Sequence, residues 1–256
     1  MKRFTRLPSI FGGVALLVFA TQAFGDSAAC GPGPDWVSSC GGGLYSLSTT
    51  SNFNLWLDLN GNNHYDGIGG ADWVGFVQTT GTTKINLASS GGSHQMLSDV
   101  YQLSETGPDG AKVIAGAGMD SSLYSPGAIT ARDGSTRSFC DPAAGTATRG
   151  TDLSLADSCY EVFFQLTTPA SLGSVILHNT SPLRVLCEGL KGVPPFGCQY
   201  KWNQQDVLLY DADNITVKGG LLPADGTHHS VPESAAAPQL VGMLLLGALT
   251  LRRVRN

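Results

Sequence analysis

Residues 160–167 alternate with a period of two. Tyr160, Val162, Phe164 and Leu166 fall on one side, and Glu161, Phe163, Gln165 and Thr167 on the other. Only an extended strand sends successive side chains to opposite faces, so this stretch reads as a strand with one face in a core. Phe53, Leu55 and Leu57 repeat the pattern against Asn54, Trp56 and Asp58. Shorter candidates lie at 73–77, 84–87, 112–115, 174–178, 207–210 and 215–217. Turn-forming Gly and Ser are dense between them and long helical patterns are absent, the signature of an all-β sandwich or barrel. The spacing of Met96, Val100 and Leu103 predicts one short helix over 94–103. The expected fold is therefore mainly β, an antiparallel β-sandwich, with the jelly roll as its analogue among exported bacterial domains.

The two ends differ from this middle. Lys2, Arg3 and Arg6 precede an apolar run over 10–20, and Ala23, Phe24 and Gly25 offer small residues for signal peptidase, so 1–25 reads as a signal peptide. A lipoprotein signal at Cys30 is disfavoured, because Ser27 stands where that motif wants leucine. At the other end Val231, Pro232, Glu233 and Ser234 lead into an almost uncharged run over 235–251, closed by Arg252, Arg253 and Arg255. As a helix that run is about 26 Å long, close to the hydrocarbon thickness once arginines snorkel to the headgroups. A buried amphipathic helix is the competing reading, since Pro238 and Gln239 interrupt the run, but its apolar residues cover every side of a helix. Basic residues at both ends place the termini on the cytoplasmic side of an inner membrane and the middle outside.

The order of motif, apolar helix and arginine cluster resembles the PEP-CTERM sorting signal of Gram-negative surface proteins. Val231, Pro232 and Glu233 match it, and Ser234 replaces the usual second proline. The resemblance covers only the last tenth of the chain. It implies processing by an exosortase, a membrane-embedded transpeptidase-like enzyme of organisms that also make exopolysaccharide. The implied destination is the cell surface or extracellular matrix after transient inner-membrane anchoring. Three regions follow: a signal peptide (1–25), an exported β-rich domain (26–228) and a sorting tail (229–256).

Residues 26–230 carry 9 basic and 19 acidic side chains, a net charge of −10. Such a surface disfavours nucleic acid as a partner and suits cations or plain solubility. Cys30, Cys40, Cys140, Cys159, Cys187 and Cys198 form three neighbouring pairs along an exported chain, so disulfides are expected; sequential pairing is the simplest of 15 connectivities. Zinc is disfavoured, because no Cys-x-x-Cys and no histidine pair at ligand spacing occurs.

The sharpest chemical signal is Asp58, Asn60, Asn62, His64 and Asp66, at positions 1, 3, 5, 7 and 9 of a loop. Oxygen groups at that spacing, with the His64 carbonyl at position 7, converge on one point, and calcium is the candidate cofactor. The loop resembles those of dockerins and thrombospondin-type calcium repeats, which implies a weak, extracellular-class site. Asn63 stands at position 6 in place of glycine, and Gly69 at position 12 in place of a bidentate glutamate; Asp72 adds a third carboxylate if it folds back. The competing reading is a polar hairpin connection with turns at Asn60-Gly61 and Asp66-Gly67. Trp56, opposite the apolar face of its strand, is the candidate exposed ring for stacking on a sugar. Asp211 and Asp213 read as turn or cation-facing residues, and no hydrolase motif of recognised spacing occurs. The expected function is non-enzymatic: a structural or adhesive surface protein associated with exopolysaccharide. A calcium-assisted carbohydrate-binding module and a secreted hydrolase are the alternatives.

Overall fold

The computed structural model describes residues 30–31, 36–67, 70–88, 94–132, 151–202 and 207–232; of 223–232, Trp36 and Ser38 it describes the backbone alone. The expected signal peptide (1–25), the run 235–251, Glu233, Ser234, the three tail arginines and Cys140 lie outside these residues. Among the described residues no helix is long and apolar enough to cross a membrane.

Four long strands carry the architecture: β1 (Gly43–Leu57), β2 (Trp73–Leu87), β3 (Gln95–Thr106) and β12 (Val217–Pro232). They lie side by side in the order β12-β1-β2-β3, all antiparallel. β3 forks along its free edge. Gln95 to Val100 pair with β5 (Ser125–Ala131), whereas Leu103 to Thr106 pair with β4 (Lys112–Ala115). One branch continues from β5 through β6 (Ala156–Val162), β9 (Leu183–Leu190) and β10 (Gln199–Lys201) to the C-terminal half of β12. The other runs from β4 through β7 (Phe164–Thr167), β8 (Ile176–Asn179) and β11 (Val207–Tyr210) to the N-terminal half of β12. The sheet therefore closes twice, into two rings that share the four long strands. Closure removes the open edges at which sheets pair with other chains.

β12 changes partner through a wide irregularity. Asn52 and Asn54 of β1 face Thr227 and Leu222, so residues 223–226 of β12 stand against the single Phe53 of β1. Pro223 lies in this excess, where a missing N–H costs no ladder hydrogen bond. The sandwich-like interior is filled from both sides by Leu47, Leu55, Ile85, Met96, Ile129, Leu166, Leu177 and Leu209, each at most 2% exposed. Full burial of one such side chain contributes about 1.5–3 kcal/mol.

Several expectations from sequence hold and others need correction. The strands expected at 112–115 and 207–210 are β4 and β11 residue for residue, while 73–77 and 84–87 are two ends of the single strand β2. The alternating run 160–167 is extended but broken at Phe163, whose N–H donates to Ser125 Oγ at 2.9 Å. The expected helix over 94–103 is instead part of β3. Met96 and Val100 are four apart, which fits strand and helix alike, and an extra residue at Tyr101 supplies the odd step to Leu103: Ile85 pairs with Val100 and Lys84 with Gln102. The boundary drawn between 228 and 229 falls inside β12, whose backbone pairs His229 with Thr50, Val231 with Ser48 and Pro232 with Leu47.

Disulfides join Cys30 to Cys40 and Cys187 to Cys198, with Cα atoms 5.6 Å and 6.2 Å apart, and Cys159 is also disulfide-bonded. Cys30 forms a two-way backbone bridge to Val193 (2.9 and 3.1 Å), which fastens the N-terminal segment to the loop stapled by Cys187–Cys198.

Candidate functional site

The loop leaving β1 gathers the predicted residues by hydrogen bonds. Asp58 Oδ1 accepts from the N–H of Gly61 (2.7 Å) and Asn62 (3.3 Å), and Oδ2 from that of Asn63 (2.8 Å). Asn60 Oδ1 accepts from Asn62 N–H and Asn62 Oδ1 from His64 N–H, two successive Asx turns. Asp66 draws the ends together, accepting from Asn60 Nδ2 (2.5 Å) and Asn62 Nδ2 (2.8 Å). Asp72 does fold back, taking the Asp66 N–H at 2.8 Å. Asn63 is left-handed (φ 59°), the conformation for which position 6 of such loops uses glycine and which Asn tolerates better than most residues.

Burial pushes the Asp58 carboxyl upward, but the N–H groups of Asn63, Gly61 and Asn62, with the Lys218 charge, outweigh it and hold the group below its ordinary value. Two carboxylates and two amides thus converge, with Asp72 behind them. The amides of Asn60 and Asn62 present nitrogen to Asp66, and a bound cation would require both to turn their oxygens inward. Among the described residues, no three His, Cys, Asp or Glu side chains gather as a metal-ligand set.

Trp56 is not an exposed platform, since it is only 1% exposed. Alternation does place it on the outer side, apart from the main core cluster, but the loop folds over that side and Tyr65 covers the indole at 5.5 Å between ring centroids. Gly220, on the neighbouring strand, makes room for it: a Cβ there would lie 2.6 Å from Trp56 Nε1 and 2.9 Å from the Val207 carbonyl oxygen.

Beyond the loop, the outer face of β1 and β2 is a grid of hydroxyls and amides. Asn52 accepts from Gln78 Nε2 at 2.8 Å, and Thr50 faces Thr80, Ser48 faces Thr82 and Ser46 faces Lys84. Ser104 and Thr106 of β3 extend the grid opposite Thr82 and Thr80. Phe76, 63% exposed, stands at its loop end. Sequence reasoning missed this face because inward positions are threonines too, which hides the alternation. Thr49 and Thr83 share a buried hydrogen bond of 3.0 Å, and Thr79 donates to Glu105 at 2.7 Å. Of the histidines whose side chains are described, His64 lies on the exposed loop and His178 bonds Asn214. Asp213 secures its own turn through the N–H groups of Ile215 (2.7 Å) and Thr216 (2.8 Å).

The fold and these surfaces define a disulfide-stapled, doubly closed antiparallel β-protein. No protein-family model and no curated protein matches its sequence. Among solved structures, DynF from the dynemicin biosynthesis pathway of Micromonospora chersina is similar, with a TM-score of 0.54 at 15% identity over 77% of this chain and 83% of DynF. A likeness at that identity is one of fold.

Proposed function

We propose that this chain is an exported surface or matrix protein, delivered by its signal peptide, held briefly in the inner membrane by the 235–251 helix and processed by an exosortase-type enzyme. Its role is structural or adhesive, and its partner is the neutral part of an exopolysaccharide. The observation that carries the adhesive part is the outer grid of Ser48, Thr50, Asn52, Gln78, Thr80 and Thr82, rich in hydrogen-bonding groups and free of charge within that set. Sugar hydroxyls exchange hydrogen bonds with such groups without the desolvation cost of burying an ion. Phe76 supplies the exposed ring on which a sugar can stack. The oxidised cysteines support passage through an oxidising compartment.

Retention on immobilised exopolysaccharide from the producing cells tests the contact. Phe76→Ala and Thr80→Lys should each weaken it at least fivefold, and unchanged retention in both would remove this face from consideration. Fractionation of cells with and without residues 231–256 tests the address; an uncut full-length chain in the cytosol would end that reading.

The convergence of Asp58, Asn60, Asn62 and Asp66 favours a second reading, a carbohydrate-binding module whose loop is ordered by calcium. Millimolar calcium should raise the melting temperature of wild type and leave Asp58→Ala and Asp66→Ala unmoved. No shift in wild type would confine the loop to a turn.

A further inference from the structure

Where one sheet divides into two branches, the strands facing the four long ones cannot all stay in contact. β3 changes partner after Val100, the run of β6 into β7 breaks at Phe163, and β12 leaves β11 after Leu221. A cavity of about 90 Å³ lies at this junction, walled from both sides by side chains that include Phe53, Ile85, Val113, Ala115, Phe164 and Leu183. No charged residue lines it. Native interiors rarely keep voids larger than a water molecule, and a water needs two to four polar partners, whereas the surface facing this cavity is almost wholly apolar.

One polar group in the wall is unspent. Trp202 is 8% exposed, and its Nε1 completes no hydrogen bond. The Tyr160 phenol, by contrast, stands among the hydroxyls of Ser98, Ser158 and Tyr200, the last two bonding each other at 2.8 Å. Burial, the dominant influence, keeps that phenol protonated. An indole N–H can only donate, so the missing partner of Trp202 is an acceptor.

We propose that this cavity binds an uncharged, slender aliphatic ligand carrying one acceptor oxygen, its alkyl end between the sheets and its oxygen on Trp202 Nε1. On the scale on which a cavity of about 150 Å³ admits benzene, this one holds a chain end of about four carbons. Trp202 also walls an outer groove of about 660 Å³ lined by Glu188, Lys191, Phe196 and Gln199. The remainder of a longer ligand would leave past Trp202 into that groove. This site is separate from the outer glycan-facing grid and stands whether or not that reading holds.

The test uses the full chain with methyl-labelled Ile, Leu and Val, titrated in turn with xenon and butan-2-one while methyl resonances are followed. Saturable shifts at Ile85, Val113 and Leu183, absent at the remote Leu177 and Leu209, are expected from both probes. Trp202→Phe should weaken butan-2-one about fivefold, the worth of one hydrogen bond, without weakening xenon. Ala115→Leu should fill the space and abolish both sets of shifts, and the milder Ala115→Val should reduce them if the larger side chain prevents folding. Absence of saturable shifts in wild type, or full shifts in a folded filled variant, would overturn the site. Equal butan-2-one affinity in wild type and Trp202→Phe would overturn the acceptor.

Discussion

Trp56→Ala separates the buried role of this residue from the exposed role its strand position suggests. Truncating a buried Trp to Ala costs about 3–5 kcal/mol through lost contact and the cavity left behind. Trp56 is fully enclosed by Tyr65, β12 and the loop, so that range applies. Its indole N–H, however, is buried without a partner, and removing an unsatisfied donor returns about 1–3 kcal/mol. The expected net loss is about 2 kcal/mol, read from equilibrium urea unfolding with disulfides intact. Trp56→Phe keeps a ring under Tyr65 and removes the orphan donor, so it should stay within about 1 kcal/mol of wild type. Combining Trp56→Ala with Tyr65→Ala should reveal a coupling of about 0.5–1.5 kcal/mol for the ring pair. Retention on exopolysaccharide should not change in Trp56→Phe, in contrast to Phe76→Ala. A Trp56→Ala loss below about 0.5 kcal/mol, or a Trp56→Phe loss equal to it, would refute the reasoning.

Gly220→Ala should destabilise by about 1–3 kcal/mol, because its Cβ meets Trp56 Nε1 and the Val207 carbonyl oxygen well inside contact distance; Trp56→Ala in the same chain should relieve part of that loss, as a double-mutant unfolding cycle would report. Replacing Cys30 and Cys40 together by serine should cost at most about 3 kcal/mol, the loop-closure value for a separation of 10 residues, measured as a shift in urea midpoint. The Asp213 carboxyl is held below the ordinary carboxylate value, first by the Thr216 N–H, then by the Thr216 hydroxyl, Asp211 and the Ile215 N–H. A depressed folded pKa means its stabilising contribution is complete above the unfolded value of about 3.9 and disappears as pH falls through the folded one. The Thr216 amide resonance should therefore titrate with a midpoint below about 3.9, and a midpoint at or above that value would contradict the hydrogen bonds described.

Periodicity reads correctly where one face of a strand is apolar and the other polar, as in β4, β11 and the 53–57 end of β1. It fails where burial is polar. Thr49, Thr79 and Thr83 occupy inward positions, their hydroxyls paired with side chains of the adjacent strand, so most of β1 and the middle of β2 carry no apolar alternation. It also fails where a bulge adds a residue: the extra Tyr101 turns a strand's even spacing into the four-then-three step of a helix, and only the partner strand exposes the difference. The 58–72 loop was legible because its Asx turns are local chemistry. That it folds back over Trp56 was not, since the glycine making space, Gly220, lies far along the chain. The double closure was likewise hidden, being a matter of which distant strands share an edge.

The closing strand has a mechanical consequence. β12 is hydrogen-bonded along β1 on one side and to β11 and β10 in turn on the other, and the proposed sorting tail would start at its last two residues, Val231 and Pro232. Any tether attached beyond Pro232 therefore pulls along the strand that both rings share. The load falls on many ladder bonds in parallel, in shear, so the domain should resist detachment from an anchored C-terminus far better than a pull that peels β11 or β10 away one bond at a time.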